Sequence, residues 1–161
     1  MGRRREGREA AVQFLFAHEL HAEHSLEEQE AFWGIHNAKT SVRTYAENLI
    51  RGVLSHLTDL DAVIGPIVEN FRIERIANVD RNILRLAVYE LQHVPEVPTP
   101  VVINEAIEIA KNLGGNESGA FVNGVLHRIA HQLRPKGAHK ERTPSLPTDS
   151  KLEDTQEVPL A

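Results

Sequence analysis

Residues 78–91 read NVDRNILRLAVYEL, and they decide the fold that the sequence predicts. Their apolar side chains recur at intervals of three and four residues, which is the spacing of one face of an amphipathic helix. Prolines at positions 95, 98 and 100 end this helix, because proline cannot continue the backbone hydrogen-bond ladder. A helix of this kind must bury its apolar stripe against other elements. The stripe consists of Ile83, Leu84, Leu86, Ala87 and Leu91.

Helical spacing also occurs on both sides of this stretch, whereas strand patterns are nearly absent. Ser25 to Glu28 has the Ser-x-x-Glu form of a capping box, and Pro66 should kink or shorten the helix that contains it. The sequence therefore predicts an all-α fold of about seven helices in two small bundles around a shared core, with Leu84 and Ile107 on buried stripes. The expected helices run from about residue 5 to His21, from Ser25 to Asn37, over the stripe Val42–Leu57, from Thr58 through Ile67, from Val79 to Leu91, from a Thr99 cap to Gly114, and from Ser118 to Leu133.

Composition narrows the protein class. The chain has 161 residues, of which 41% are hydrophobic and 25% charged, as expected for one globular domain. The absence of cysteine excludes disulfides, thiolate zinc sites, iron–sulfur clusters and a cysteine nucleophile. No apolar run approaches the roughly 18 residues of a membrane span, and no signal-peptide core follows the N-terminal MGRRR. We therefore expect a cytoplasmic location and no membrane partner.

The last 27 residues, 135–161, differ in composition from the rest. They contain four of the eight prolines and no Ile, Phe, Tyr or Trp. Such a segment cannot bury enough apolar area to offset the entropy cost of ordering it. We expect a folded domain over residues 1–134 and a disordered C-terminal tail over 135–161.

The net charge of −5 is unevenly distributed along the chain. Residues 1–9 carry a balance of +2, and residues 10–134 carry −6. The basic residues are Arg3, Arg4, Arg5 and Arg8, and arginine suits bidentate phosphate contact and stacking on bases. Further along the same helix, Gln13 could contact a base edge and Phe16 could stack on one. The alternative is a solvated helix terminus with no ligand.

Other polar groups allow a structural interpretation beside a functional one. Asp80, Arg81 and Arg85 form either a partner surface or intrahelical ion pairs with nearby acids. Glu105 and Glu108 lack a visible third ligand, so a polar helix face or hydrogen bonding to a neighbouring turn is favoured over catalysis.

Two histidine pairs have the spacing that one helix face could present to zinc, but no further ligand completes either site. The Gly114-Gly115 loop could hold an anion, although it is first of all a helix stop. We predict no catalytic residue, no metal and no cofactor. The pairs are His18 with His21, and His127 with His131.

Four segments together resemble a known family. They are residues 8–16, REAAVQFLF; 78–91, quoted above; 98–111, PTPVVINEAIEIAK; and 118–126, SGAFVNGVL. In this order they resemble the NusB family of bacterial transcription antitermination factors, over residues 3 to about 134. The resemblance implies an all-helical fold of two subdomains. It also implies binding to the boxA element of nascent ribosomal RNA transcripts together with NusE, a small-subunit ribosomal protein, in a complex on RNA polymerase.

The resemblance also implies roles for individual residues. The RNA-binding residues would be Arg3, Arg4, Arg5, Arg8, Gln13, Phe16, Glu117 and Phe121, and the partner-binding residues would be Asp80, Arg81 and Glu117.

This chain departs from the family pattern in the arginine run, where Glu6 and Gly7 interrupt it, and at Gly119 and Ala120, where some relatives carry a basic side chain. Phe16 stands where some relatives have tyrosine. One alternative, a ribosomal RNA methyltransferase with a NusB-like domain, would need a large additional cofactor domain and is not expected here. The other alternative is a protein–protein adaptor with no strong RNA binding of its own.

Overall fold

The computed structural model describes residues 2–20, 26–68 and 73–135. Within these ranges it contains seven α-helices and one short 3₁₀ turn, Ile73–Arg75, and no strand, which confirms the all-α fold class. The predicted tail, apart from Pro135, lies outside the described residues, as do His21 and Ser25. The helices are α1 (Arg3–Leu20), α2 (Leu26–His36), α3 (Thr40–Ser55), α4 (Leu57–Ile67), α5 (Asn78–His93), α6 (Thr99–Leu113) and α7 (Ser118–Leu133).

Helix α5 lies at the centre of the fold. It packs against α1, α3, α4, α6 and α7, and its side chains Ile83, Leu84 and Val88 are at most 1% exposed. The buried side chains of all seven helices form one continuous hydrophobic cluster. The helices therefore share a single core, and the apolar stripe of residues 78–91 lies in the middle of it.

Helix α2 is held against α1 and α3 by aromatic contacts. Trp33 is buried, and Phe32 lies edge-on to both Trp33 and Phe14 of α1, at centroid distances of 5.0 and 5.2 Å. Arg43 of α3 lies over the Trp33 ring at 5.3 Å, a cation–π arrangement. These contacts attach α2 to the core, although its stretch of helically spaced apolar residues is short.

The helix bounds agree closely with the sequence pattern, and the differences have local causes. Helix α7 has the predicted bounds, and α4 ends one residue after Pro66. Helix α6 begins at Thr99, and Pro98 takes the extended cap conformation (φ −62°, ψ 146°), so the predicted cap is one residue late. Helix α1 begins at Arg3, which places the arginine run within the helix.

Gly114 ends α6 through close packing. Its backbone is extended (φ −94°, ψ −174°), and a Cβ atom there would lie 2.5 Å from the Ser118 Oγ. The Gly115 N–H donates to the same hydroxyl oxygen at 2.9 Å. The loop between α6 and α7 is therefore tight, and it fixes where α7 begins.

No helix in the described ranges has both the length and the apolar character to cross a membrane.

Candidate nucleic-acid interface

Arg3, Arg4, Arg5 and Arg8, here called the arginine tip, occupy the first two turns of α1. Arg3 and Arg4 are exposed on the first turn. A guanidinium in this position presents its N–H groups to solvent and can bind phosphate oxygens in a bidentate manner. These two residues are the most accessible cations of the tip.

Arg5 is paired across to α6. Its Nε donates to Glu105 Oε1 at 3.0 Å and its second terminal nitrogen to Glu105 Oε2 at 2.7 Å. The Arg5 side chain remains 38% exposed, against 15% for Glu105. The hydrogen bond from Arg5 lowers the pKa of the Glu105 carboxyl below its usual value, and this outweighs the opposing effect of burial.

Arg8 lies inside the protein. It forms two hydrogen bonds of 2.9 Å to the Glu90 carboxylate of α5, and it is 3% exposed. Burial acts to lower the pKa of Arg8, but the Glu90 carboxylate raises it above its ordinary value. Because its guanidinium is enclosed and bonded, Arg8 offers no accessible surface to a phosphate, and its position is that of a structural anchor between α1 and α5.

A sequence signal for this anchor exists. Arg8 and Val12 are four residues apart on the buried side of α1. Ile83, Leu86 and Glu90 recur at helical spacing on the buried side of α5. A charged residue within an apolar stripe must be paired when buried, because an isolated buried charge is costly. One such residue of each sign on two helices indicates an internal ion pair.

The two other α1 residues assigned to RNA have different environments. Gln13 is partly buried, and its side-chain oxygen accepts a hydrogen bond from His36 Nε2 of α2. Phe16 is 37% exposed, and its carbonyl oxygen accepts a hydrogen bond from Asn78 at 3.4 Å. Phe16 therefore offers an aromatic surface to a ligand, whereas Gln13 connects α1 to α2.

The second part of the candidate interface is the start of α7. Glu117 is exposed at the cap position, and its carbonyl oxygen accepts a hydrogen bond from the Phe121 backbone N–H. Phe121 is partly buried and borders a groove of about 330 Å³ between α4 and α7. The other lining residues are Ile67, Val68, Ala120, Gly124, Val125 and Arg128.

Helix α6 connects the arginine tip to the α7 start. Arg5 contacts Glu105 in its middle, and Glu9 accepts a hydrogen bond from Asn112 near its end, at 3.4 Å. Side chains of α1 therefore reach the middle and the end of α6, the helix that precedes Glu117 in the chain. The arginine tip contacts α6 through Arg5, and the start of α7 follows α6 after the Gly114-Gly115 loop.

The residues assigned to a protein partner are mostly internal. Asp80 is 9% exposed, and its Oδ1 atom is buried with no hydrogen-bond partner among the described residues. Arg81 forms an ion pair with Glu19 of α1 and donates to the carbonyl oxygens of Ile73 and Ile76, at 3.1 and 2.8 Å. Arg81 therefore fixes the 3₁₀ turn to α5.

The expectation that Arg81 and Arg85 pair with acids of their own helix is wrong. Arg85 donates two hydrogen bonds of 2.8 Å to Asp61 of α4 and one of 2.7 Å to Glu19. Burial acts to raise the pKa of Glu19, but the two arginines lower it below its usual value. Helix α5 is thus joined to α1 through Glu19, which bridges Arg81 and Arg85, and to α4 through Asp61, which binds Arg85.

Among the described residues, the two glutamates considered for catalysis are each paired with a cation, and His21 lies outside the described ranges. Glu105 binds Arg5, and Glu108 pairs within its own helix with Lys111 at 3.3 Å. The described part of the chain contains no group of three or more His, Asp or Glu side chains arranged to hold a metal ion.

Comparison with known proteins places this arrangement in a family. The NusB family model matches residues 5–131. The transcription antitermination protein NusB of Sorangium cellulosum is 47% identical over 133 residues, covering 83% of this chain and 95% of that protein.

Two solved structures agree. NusB of T. maritima has a TM-score of 0.73 at 37% identity, covering 87% of this chain and 98% of that one. A chain in the crystal structure of antitermination factors NusB and NusE in complex with double-stranded RNA has a TM-score of 0.71 at 29% identity, covering 82% and 99%. This chain belongs to the NusB family.

Proposed function

We propose that this chain is a transcription antitermination factor that binds the boxA element of nascent ribosomal RNA transcripts together with NusE, as part of a complex on RNA polymerase. Its relatives are named as antitermination proteins, and a similar chain comes from a complex of NusB, NusE and RNA. The observation that carries the proposal is the pair of exposed arginines, Arg3 and Arg4, at the N-terminal end of α1. The same helix contacts α6, which precedes Glu117 and Phe121 in the chain.

In this proposal phosphates and bases are recognised by different residues. Arg3 and Arg4, with the exposed part of Arg5, contact phosphates, which fixes the position of the RNA but carries no sequence information. Phe16 and Phe121 stack on unpaired bases, which is how single-stranded RNA is commonly read. The side-chain oxygen of Gln13 is bonded to His36, so a contact with a base edge would come from its amide nitrogen.

Arg8 contributes indirectly. By pairing with Glu90 inside the protein, it holds the first turns of α1 against α5 and so fixes the position of Arg3 and Arg4.

The protein partner is proposed to meet the acidic body. Residues 10–134 carry a balance of −6, which suits a basic ribosomal protein such as NusE. Glu117 is an exposed acid for this contact, while Asp80 contributes from a mostly buried position and Arg81 maintains the local structure. A basic partner docked here would extend the phosphate-binding track beyond the arginine tip. Such a factor is not catalytic and acts in the cytoplasm, on the transcript as it is made.

The experiment is an RNA titration at several salt concentrations, with boxA and scrambled oligonucleotides, with and without NusE. The double variant Arg3→Ala with Arg4→Ala should weaken RNA binding, because two phosphate contacts are lost. The slope of log affinity against log salt should become shallower by about 1.4, at roughly 0.7 per phosphate on single strands. Binding to NusE should survive in this variant.

Arg51→Ala is the matched control, since Arg51 is an exposed arginine of α3 that bonds Asn48 of its own helix. It removes one positive charge outside the proposed interface, and it should leave the salt slope unchanged. Phe121→Ala should instead reduce the preference for boxA over scrambled RNA, because a stacked ring senses an unpaired base. RNA affinity unchanged in the double arginine variant would contradict the placement of the RNA site at the arginine tip. Absence of salt-dependent RNA binding by the unmodified protein would support the protein–protein adaptor.

A further inference from the structure

Four charged side chains of alternating sign connect the arginine tip to the core. Arg5 pairs with Glu105, Glu105 lies 3.9 Å from Arg8, and Arg8 pairs with Glu90. The inner end of this series is closed, because the side chains of Arg8 and Glu90 are 4% and 2% exposed. The outer end is open to solvent at Arg5, which is the point where an RNA phosphate could enter.

Glu105 occupies the edge of Arg5 that a phosphate would use. The Nε and one terminal nitrogen of a guanidinium form a fork that matches the two oxygens of a carboxylate or a phosphate. In this protein both positions bond Glu105, at 3.0 and 2.7 Å. A phosphate must therefore replace the carboxylate at this edge or bind to the other edge of an already neutralised cation.

We propose that Glu105 competes with RNA phosphate for Arg5 and thereby limits the phosphate contacts that the arginine tip makes. The proposal rests on the RNA-binding function proposed above and names the residue that sets its strength. Glu105 is a constant competitor near neutral pH, because its carboxyl is ionised well above its lowered pKa.

A functional consequence follows from the difference between phosphate and base contacts. Phosphate contacts increase affinity for every RNA equally, whereas stacking and base-edge contacts distinguish sequences. A residue that prevents one phosphate contact lowers the affinity for every RNA. The base contacts then supply a larger share of the binding free energy. Glu105 therefore lowers affinity without changing the preference of the protein among sequences, and it makes tight binding depend on a basic partner.

The test is the variant Glu105→Gln, which keeps the shape of the side chain and removes its charge. With single-stranded boxA RNA, the salt slope should become steeper by about 0.7, the contribution of one more phosphate contact. Affinity at moderate salt should rise by up to about fivefold, the scale of an exposed ion pair. Affinity for scrambled RNA should rise by the same factor, because a phosphate contact carries no sequence information.

Glu108→Gln is the matched control. Glu108 lies on the same helix one turn further along, and it pairs with Lys111 rather than with Arg5. Each of the two Gln substitutions removes one negative charge. A change in binding that both variants share is therefore a general charge effect, whereas a change seen only in Glu105→Gln comes from the release of Arg5. The salt slope should steepen only in Glu105→Gln.

The dependence on Arg5 is tested in the double variant Arg5→Ala with Glu105→Gln. If Glu105 acts through Arg5, the Gln substitution has no further effect when Arg5 is absent. If Glu105 repels RNA directly, the substitution strengthens binding in both backgrounds, and the proposal is overturned.

Two other results overturn the proposal while RNA binding by the unmodified protein stands. Unchanged affinity and slope in Glu105→Gln would mean that Arg5 makes no additional phosphate contact when the Glu105 charge is removed. Weakened binding would mean that Glu105 orients Arg5 for the phosphate. If the unmodified protein shows no RNA binding at all, the proposed function fails as well, so the two failures are distinguishable.

A second measurement does not depend on how Glu105→Gln folds, which matters because Glu105 also lies near the buried Arg8. In the unmodified protein, the proton NMR signal of the Arg5 Nε–H should shift when RNA is added, because it exchanges a carboxylate for a phosphate. The corresponding signal of Arg8 should remain unchanged. An Arg5 signal that does not respond to bound RNA would contradict the competition.

Discussion

Arg4 and Arg8 lie one turn apart on the same helix, yet their environments are opposite. Arg4 is exposed on the first turn, whereas Arg8 is 3% exposed and enclosed by Glu90 and Tyr45. The change occurs within one turn, because Gly7 allows the Tyr45 ring to approach the backbone. A Cβ atom on Gly7 would lie 2.5 Å from Tyr45 Cδ2.

Arg4 and Arg8 thus have two different roles although they are the same type of residue. The outer turn has cations that solvent and ligands can reach, and the inner turn has a cation that the core has already neutralised. Arg5 lies between the two, paired but partly exposed. The basic character of residues 1–9 is therefore not a measure of how many phosphates the protein can bind.

Arg8→Ala is expected to have the largest effect on stability. It leaves the Glu90 carboxylate buried without its partner, which should reduce the free energy of unfolding by about 3–5 kcal/mol. Arg4→Ala removes an exposed side chain and should change it by less than about 0.5 kcal/mol. Chemical denaturation of both variants measures the difference.

The double variant Arg8→Met with Glu90→Met tests whether the loss in Arg8→Ala comes from the unpaired Glu90 carboxylate. It removes both charges and keeps apolar volume, so it should be more stable than Arg8→Ala. Equal losses in Arg4→Ala and Arg8→Ala would contradict the division of the tip into an outer and an inner turn.

The apolar stripes of α5 and α6 show the same contrast between inner and outer positions. Leu84 is 0% exposed at the centre of α5, whereas Ile107 of α6 is only partly buried. Leu84→Ala should reduce the free energy of unfolding by about 2–5 kcal/mol, because it creates a cavity in the core. Ile107→Ala should cost about 1 kcal/mol, since part of the side chain is already in contact with water. Thermal or chemical denaturation tests both, and a loss at Ile107 equal to that at Leu84 would contradict the placement of Ile107 at the edge of the core.

The sequence predicts what is encoded locally. Apolar periodicity and the Gly114-Gly115 stop predict α7 at its observed bounds, because these signals act within a few residues. The partners of Arg8, Arg81 and Arg85 could not be assigned in this way. Their acids lie on other helices. The acid is 82 residues away along the chain for Arg8 and 62 residues away for Arg81, and the two acids of Arg85 are 24 and 66 residues away.

The same limitation applies to the candidate site. The family motifs indicate which positions belong to it, and the exposed positions of Arg3 and Arg4 agree with a ligand-binding role. Whether a given arginine is available depends on acids such as Glu90 and Glu105, which come from α5 and α6. Local sequence shows that such a charge must be neutralised when buried, but the packing of the helices determines which residue neutralises it.

Arg134 is a further arginine that bonds to other groups of the protein, and it lies at the end of the described helices. It follows α7 and donates to the carbonyl oxygens of Glu90, Leu91, Val94 and Val97 at 2.7–3.2 Å. Glu90 and Leu91 belong to the last turn of α5. The Glu90 carbonyl also accepts the Val94 N–H, whereas Pro95 leaves the Leu91 carbonyl without an i+4 donor. Arg134→Ala should therefore reduce the free energy of unfolding by about 1.5–3 kcal/mol.

The smallest effect is expected from deletion of residues 137–161, which begins just beyond Arg134. This segment contains no Ile, Phe, Tyr or Trp, and its net charge of −2 has the same sign as that of residues 10–134, so neither apolar burial nor electrostatic attraction supports packing on the body. The truncated chain keeps Arg134 and its carbonyl partners, and its Tm should therefore lie within about 2 °C of the full chain. Thermal unfolding of the full chain, the truncated chain and Arg134→Ala under one set of conditions compares the two sides of this boundary. A fall in Tm on truncation as large as that caused by Arg134→Ala would mean that the segment after Pro135 packs on the helices and that the folded body extends beyond Arg134.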